Sequence, residues 1–142
     1  MSENASFFDL LRQHFERIPF GRHLGVEIRE VRDGYARLEL PFRPEFIGNT
    51  ELPALHGGIL LSVADQCGGL VLYTKAGPTA KLSTVDLRMD FLKPAPPKTL
   101  VVEGQVLRAG NRIGVVELRL SSEGKPDELL AFGVGVYNIS LA

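Results

Sequence analysis

Asp65 stands in the middle of an otherwise apolar run, His56-Gly57-Gly58-Ile-Leu-Leu-Ser-Val-Ala-Asp65 and onward to Tyr73, and an acid there needs a reason. A carboxylate buried without a partner is costly, and acids retained in apolar settings are often functional. At helical spacing its neighbours one turn away are Ser62, Gly68 and Gly69, so a trough of small side chains, open to a ligand, runs beside it. Gly57 and Gly58 open the same run. The first N–H groups of a helix lack intrahelical acceptors, and the helix dipole favours negative charge there. Glycine also lets a reacting atom approach the backbone closely, so the pair suits an oxyanion developing on a carbonyl. The plainer alternatives are that Asp65 reaches water or caps a loop, and that the glycines only permit tight packing.

Helix geometry limits what these residues can do together. His56 lies about 13 Å from Asp65 along one helix and on its opposite side. Cys67 falls on nearly the same side as His56 but about 16 Å away, beyond the reach of an activated thiol. Cys67 therefore reads as a small core residue unless His14 or His23 folds onto it. For the Asp65 carboxylate and the Gly57 amide to meet at one substrate, one of them should come from a second chain, which points to a symmetric dimer with sites at its interface.

Other polar residues carry weaker signals. Asn49 could orient a water or merely hold a turn. Thr84, Asp86, Arg88 and Asp90 are expected on one face of a strand opposite Val85, Leu87, Met89 and Phe91, with a solvated face as the ordinary explanation. Lys75, Lys81, Lys93, Arg108 and Arg112 lie near element ends, where they could meet phosphates or solubilise the surface.

The elements that must position these groups follow from periodicity. Ser6-Phe-Phe-Asp9 has the form of a capping box, with Phe7, Leu10, Leu11, Phe15 and Ile18 at helical spacing behind it and Pro19 ending the helix. From Val26 to Phe42 the pattern is that of a hairpin turning at Asp33-Gly34. Residues 43–55, with two prolines, read as an irregular approach. His56 to about Lys75 then predicts a helix of roughly 30 Å, apolar nearly all the way round and so wrapped by protein. Four runs alternate with period two: Val85 to Phe91, Leu100 to Val106, Val116 to Leu120, and Leu130 to Val136. The expected class is α+β, with one curled antiparallel sheet around one long helix.

The 142 residues, 44% hydrophobic, suffice for one core, so residues 1–142 are expected to form one domain, with 1–18 as its N-terminal helix. Sixteen Lys+Arg against 17 Asp+Glu leave no basic stripe for nucleic acid. One cysteine excludes an intrachain disulfide framework, and with three dispersed histidines offers no recognisable zinc spacing. Charges near the N-terminus and the interruption at Asp65-Gln66 argue against a signal peptide and a membrane span, so a cytoplasmic protein is expected.

The run LHGGILLSVADQCGG resembles the helix motif of the hotdog thioesterase superfamily, in particular its PaaI-like branch. GRHLGVEIREVRDGYARLELPFRPEFIGN resembles that family's first hairpin, STVDLRMDFLKPA its next strand, and AGNRIGVVELRL the one after. The resemblance implies a hotdog fold and hydrolysis of an acyl-CoA thioester, with CoA as part of the substrate and no metal or other cofactor. It implies that the Gly57 N–H polarises the carbonyl, with His56 beside it, and that Asp65 of the facing subunit is nucleophile or general base. It further implies that Asn49 places water and that Thr84, or its neighbour Ser83, assists the acid. Gly58, Ser62, Gly68, Gly69 and Ser83 would line the substrate, and assembly as a homodimer or a homotetramer built as a dimer of dimers is expected. The competing readings are a non-catalytic acyl-CoA-binding module, an acyl-CoA hydratase of the same fold, and an esterase for carrier-protein thioesters.

Overall fold

The structure, a computed structural model, describes residues 3–141. Helix α1 (Glu3–Glu16) starts upstream of the expected capping box, so Ser6 lies inside it and not at its N-cap. Its buried stripe is Leu11 and Phe15, while Leu10 is exposed. Pro19 does more than end this helix. It takes the first position of a second one, α2 (Pro19–Leu24), where its missing N–H costs nothing. Gly25, at φ +85°, closes α2 by donating to the carbonyls of Gly21 and Arg22.

Strands β1 (Glu27–Arg32) and β2 (Tyr35–Leu40) form the expected hairpin. Its turn is tied to the end of the long helix, because the Gly34 N–H donates to Thr74 Oγ1 at 2.9 Å and Thr74 Oγ1 donates to the Val71 carbonyl at 2.6 Å. The stretch expected to be irregular is partly ordered: a short 3-10 turn at Pro44–Phe46 leads into a small ribbon of β3 (Ile47–Asn49) and β4 (Ala54–Leu55). Helix α3 (Gly57–Ala76) follows. Then come β5 (Ala80–Phe91), β6 (Leu100–Ala109), β7 (Ile113–Ser122) and β8 (Ala131–Leu141). The six long strands form one antiparallel sheet in the order β1-β2-β6-β7-β8-β5, with α3 packed against it. This is a hotdog fold.

The core lies between α3 and the sheet. Leu60, Val63, Leu70 and Val71 of the helix are fully enclosed, as are Leu38, Leu100, Val102, Val116, Leu118 and Leu120 of the strands. Each such side chain contributes about 1.5–3 kcal/mol of hydrophobic stabilisation. The helix approaches so closely that two strand positions opposite it hold glycine. A Cβ on Gly104 would stand 3.0 Å from Cys67 Sγ, and one on Gly114 would collide with the Leu72 side chain.

Two expected strand faces need correction. In β5 the register slips between Thr84 and Asp86, leaving Val85 as the extra residue of a bulge. The bulge changes the parity of the strand, so Thr84 and Leu87, expected on opposite faces, line the same cleft. Val85 itself is 61% exposed. In β8 the buried row is Ala131, Gly133, Gly135, Tyr137 and Ile139, and the more apolar row Phe132, Val134 and Val136 is only half-buried on the other face. Small residues occupy the inner row because β5 and Tyr137 crowd it: a Cβ on Gly133 would lie 2.7 Å from the Arg88 carbonyl oxygen.

The Gly114 contact is open to test. Leu72 is fully enclosed, so Gly114→Val should cost about 1–3 kcal/mol through overpacking. Thermal unfolding should show a Tm several degrees lower, and an unchanged Tm would mean that Leu72 can swing away.

Candidate active site

The start of α3 is built by the loop before it. His56 is the N-cap, with extended backbone (φ −63°, ψ 134°), and its Nδ1 accepts from the Gly58 N–H at 2.8 Å. Nδ1 is thus an acceptor and the ring proton sits on Nε2. The His56 N–H donates to the Phe46 carbonyl at 2.7 Å. Gly48 lets the ribbon press against this cap, since a Cβ there would fall 2.6 Å from His56 Cα. Ile59 N–H is taken by the His56 carbonyl at 3.0 Å. Gly57 N–H has no acceptor among the described residues. Gly57 lines a depression of about 400 Å³ beside Phe91 and Leu92.

Asp65 sits about 12 Å further along α3. Thr84 donates from Oγ1 to Asp65 Oδ1 at 2.8 Å, and the Tyr137 hydroxyl lies 3.1 Å from the Asp65 carbonyl oxygen and 3.3 Å from Oδ1. Thr84 and Tyr137 are direct partners across β5 and β8, so their hydroxyls emerge side by side. Burial, and then the charge of Asp65, push the Tyr137 phenol far above its ordinary pKa, so it remains a donor.

Asp65 and Thr84 belong to a cleft of about 700 Å³. The wall opposite α3 and β5 comes from α1 and α2 through Phe15, Ile18 and Phe20, and Leu61, Leu82 and Leu87 complete an apolar lining. Gln66 also lines it, with its carboxamide against the Gly21 backbone, where a Cβ would lie 2.6 Å from Nε2.

The residues singled out in the sequence are distributed unevenly over this geometry. Ser62 and Gly69 line the cleft, although the Ser62 hydroxyl is spent on the Gly58 carbonyl at 2.7 Å. Gly68 is buried and lies under the Tyr137 phenol, which fills that part of the expected trough. Gly57 lines the other depression, eight residues from Asp65 on the same helix. Asn49 Oδ1 accepts from the N–H groups of Glu51 and Leu52 at 3.0 and 3.2 Å, which is turn chemistry. Ser83 is exposed and pairs with Asn138. Cys67 is fully buried, and burial pushes its thiol pKa well up. His14 lines the cleft; His23 is exposed. Among the described residues no three histidine, cysteine or acidic side chains converge as a metal site would require, and no helix is long and apolar enough to cross a membrane.

Tyr137, Gly48 and the α1–α2 wall are additions that sequence reasoning did not supply. Tyr137 had a signal: it belongs to the small-residue row of β8, one position out of step with the apolar alternation from Leu130 to Val136.

Comparison with known proteins agrees with this fold. A sequence profile described as "Thioesterase superfamily" matches residues 52–128, the segment that carries the long helix with Asp65, the Thr84 strand and the depression at Gly57. The medium/long-chain acyl-CoA thioesterase YigI of Escherichia coli K12 is 30% identical over 122 residues, covering 75% of this chain and 77% of that protein. A solved Shewanella oneidensis protein related to the thioesterase superfamily superposes with a TM-score of 0.87 at 29% identity, covering 96% of this chain and 97% of that one. A thioesterase from Haemophilus influenzae, 17% identical, shares the fold with a TM-score of 0.82, over 94% of this chain and 90% of its own. The chain therefore belongs to the thioesterase superfamily, and thioester hydrolysis is its reaction class.

Proposed function

We propose that this protein hydrolyses acyl-CoA thioesters, with Asp65 as the nucleophile or the general base for water. The observation that carries the reading is a carboxylate held by Thr84 in an apolar cleft of about 700 Å³. Such a cleft suits an aliphatic acyl chain, in keeping with the medium- and long-chain preference that the name of the Escherichia coli relative states. The reaction needs an oxyanion donor, one carboxylate and water, so the reading calls for no cofactor beyond the CoA of the substrate. His56 and Asn49 support it less directly, by fixing the cap and loop at the Gly57 amide.

Gly57 and Asp65 open into different depressions of one chain, so the reading takes the amide from a second copy. Strand β5 offers the contact. It is a sheet edge of 12 residues, bears exposed Val85 and Phe91, and carries Thr84 near one group and Phe91 near the other. Antiparallel pairing of two β5 strands about Leu87 sets Asp86 opposite Arg88 of the second copy, a favourable cross-strand pair. It also brings Thr84 within one residue of Phe91 of that copy, and with them Asp65 toward the Gly57 amide. A homodimer on this edge, alone or doubled into a tetramer, is the assembly we favour.

Thiol release from a panel of short, medium, long and aryl CoA thioesters tests the chemistry. Asp65→Asn should lower kcat by about 10²–10⁴-fold, the usual worth of a positioned acid or base. Equal acyl-CoA binding by both proteins with no turnover by either would establish a binding module instead.

The oxyanion role separates from packing by a pair of variants at one position. Gly57 is the first helical residue and His56 already has the backbone that precedes proline, so Gly57→Pro removes the N–H while keeping the helix start, its Cβ meeting Phe91 at 3.4 Å as that of Gly57→Ala would. It should cost about 10²–10³-fold in kcat, while Gly57→Ala, which keeps the N–H, stays near native. Equal activity of the two variants would dismiss the amide.

For the edge pairing, Arg88→Asp should shift the assembly toward monomer in sedimentation velocity, and Asp86→Arg with Arg88→Asp should restore it. A native monomer, or an Arg88→Asp protein of native size, would refute that edge.

A further inference from the structure

We infer that Tyr137 is a positioning residue that, together with Thr84, commits Asp65 Oδ1 and leaves Oδ2 as the reacting oxygen. The inference rests on the catalytic reading of Asp65 and adds a residue to it. Both hydroxyls reach the same carboxylate oxygen, Thr84 at 2.8 Å and Tyr137 at 3.3 Å, whereas no hydrogen bond reaches Oδ2 among the described residues. Tyr137 also reaches the backbone carbonyl of Asp65 at 3.1 Å. One phenolic proton is thus shared between the main chain and the side chain of a single residue, which ties the carboxylate to the helix that carries it.

The slot around the phenol is shaped for it. Tyr137 is only 2% exposed. A Cβ on Gly68 would collide with its hydroxyl, and one on Gly135 would lie 2.7 Å from its Cε1. A tyrosine serving only as filler would not need a polar end directed at Asp65, and a phenylalanine would fill the same volume without that end. The donors come from adjacent strands at one register position, immediately before the β5 bulge, so the pairing of β5 with β8 sets both beside the same carboxylate. Because the phenol stays protonated far above neutral pH, the hold does not lapse where the carboxylate is ionised.

The Tyr137 bond to Oδ1 is longer than a good O–H···O bond, so its loss should sit at the low end for hydrogen bonds to a charged group. The test is steady-state hydrolysis of the best CoA thioester by the native protein, Tyr137→Phe, Thr84→Val and Gly68→Ala, with Tm and assembly measured in parallel. Tyr137→Phe should lower kcat about tenfold with KM within about twofold and assembly intact. Thr84→Val, which removes the shorter bond, should lose more. Gly68→Ala, which displaces the phenol, should lower Tm in both the native and the Tyr137→Phe backgrounds but lower kcat only where the hydroxyl is present. Native kcat in Tyr137→Phe would reduce the residue to packing and overturn the inference while the thioesterase reading stands, and a change confined to KM would overturn it in favour of a substrate contact. A native protein that cleaves no thioester in the panel would remove the underlying reading and this inference with it.

Discussion

A carboxylate on a helix that is otherwise enclosed by apolar side chains has to find donors or water, and much of the local architecture answers that requirement at Asp65. The Thr84 and Tyr137 hydroxyls arrive from two neighbouring strands at one register position. The slip after Thr84 then turns β5, so that Leu87 continues the lining on the same side. Without that extra residue the strand would present Thr84 and Leu87 to opposite faces. The bulge is therefore what allows one strand to supply both a polar contact to the acid and an apolar wall beside it. Glycine at position 68 completes the arrangement by leaving space for the phenol.

The two candidate groups are built on different principles. At Asp65, side chains compensate a full charge inside an apolar cleft. At Gly57 the group is a backbone one: the cap side chain of His56 takes the next amide, the cap carbonyl takes the one after, and the Gly57 N–H is left without an acceptor among the described residues at the positive end of the helix dipole. A rigid helix of 20 residues fixes the distance between these ends. That rigidity gives each group a defined place and at the same time prevents both from serving one thioester within one chain.

The exposed edge β5 connects these facts. Long edge strands with apolar side chains invite pairing, and this one carries a contact of each group. An assembly that covers the edge would enclose the reacting carbonyl between subunits, where fixed dipoles act in a drier environment than at the surface. The wall provided by α1 and α2 belongs to the same chain as Asp65, so the apolar lining of the cleft and the carboxylate within it come from one subunit.

Much of this was legible without coordinates. The helix from His56, its glycine start, the acid within it, the hairpin at Asp33-Gly34 and the four later strands follow from periodicity and turn chemistry, because period 3.6 and period 2 are local properties of the chain. The expectation that Gly57 and Asp65 cannot meet within one helix is likewise simple helix geometry. The sequence by itself did not determine which side of β5 and β8 faces the helix. One bulged residue reverses a strand's parity, and the inner row of β8 is small rather than apolar because of what crowds against it. Tyr137 at Asp65, the filled trough over Gly68, the Asn49 turn and the α1–α2 wall were decided by the tertiary structure, since each depends on contacts between segments far apart in the chain, and no local pattern records which residues will be neighbours once the helix is wrapped.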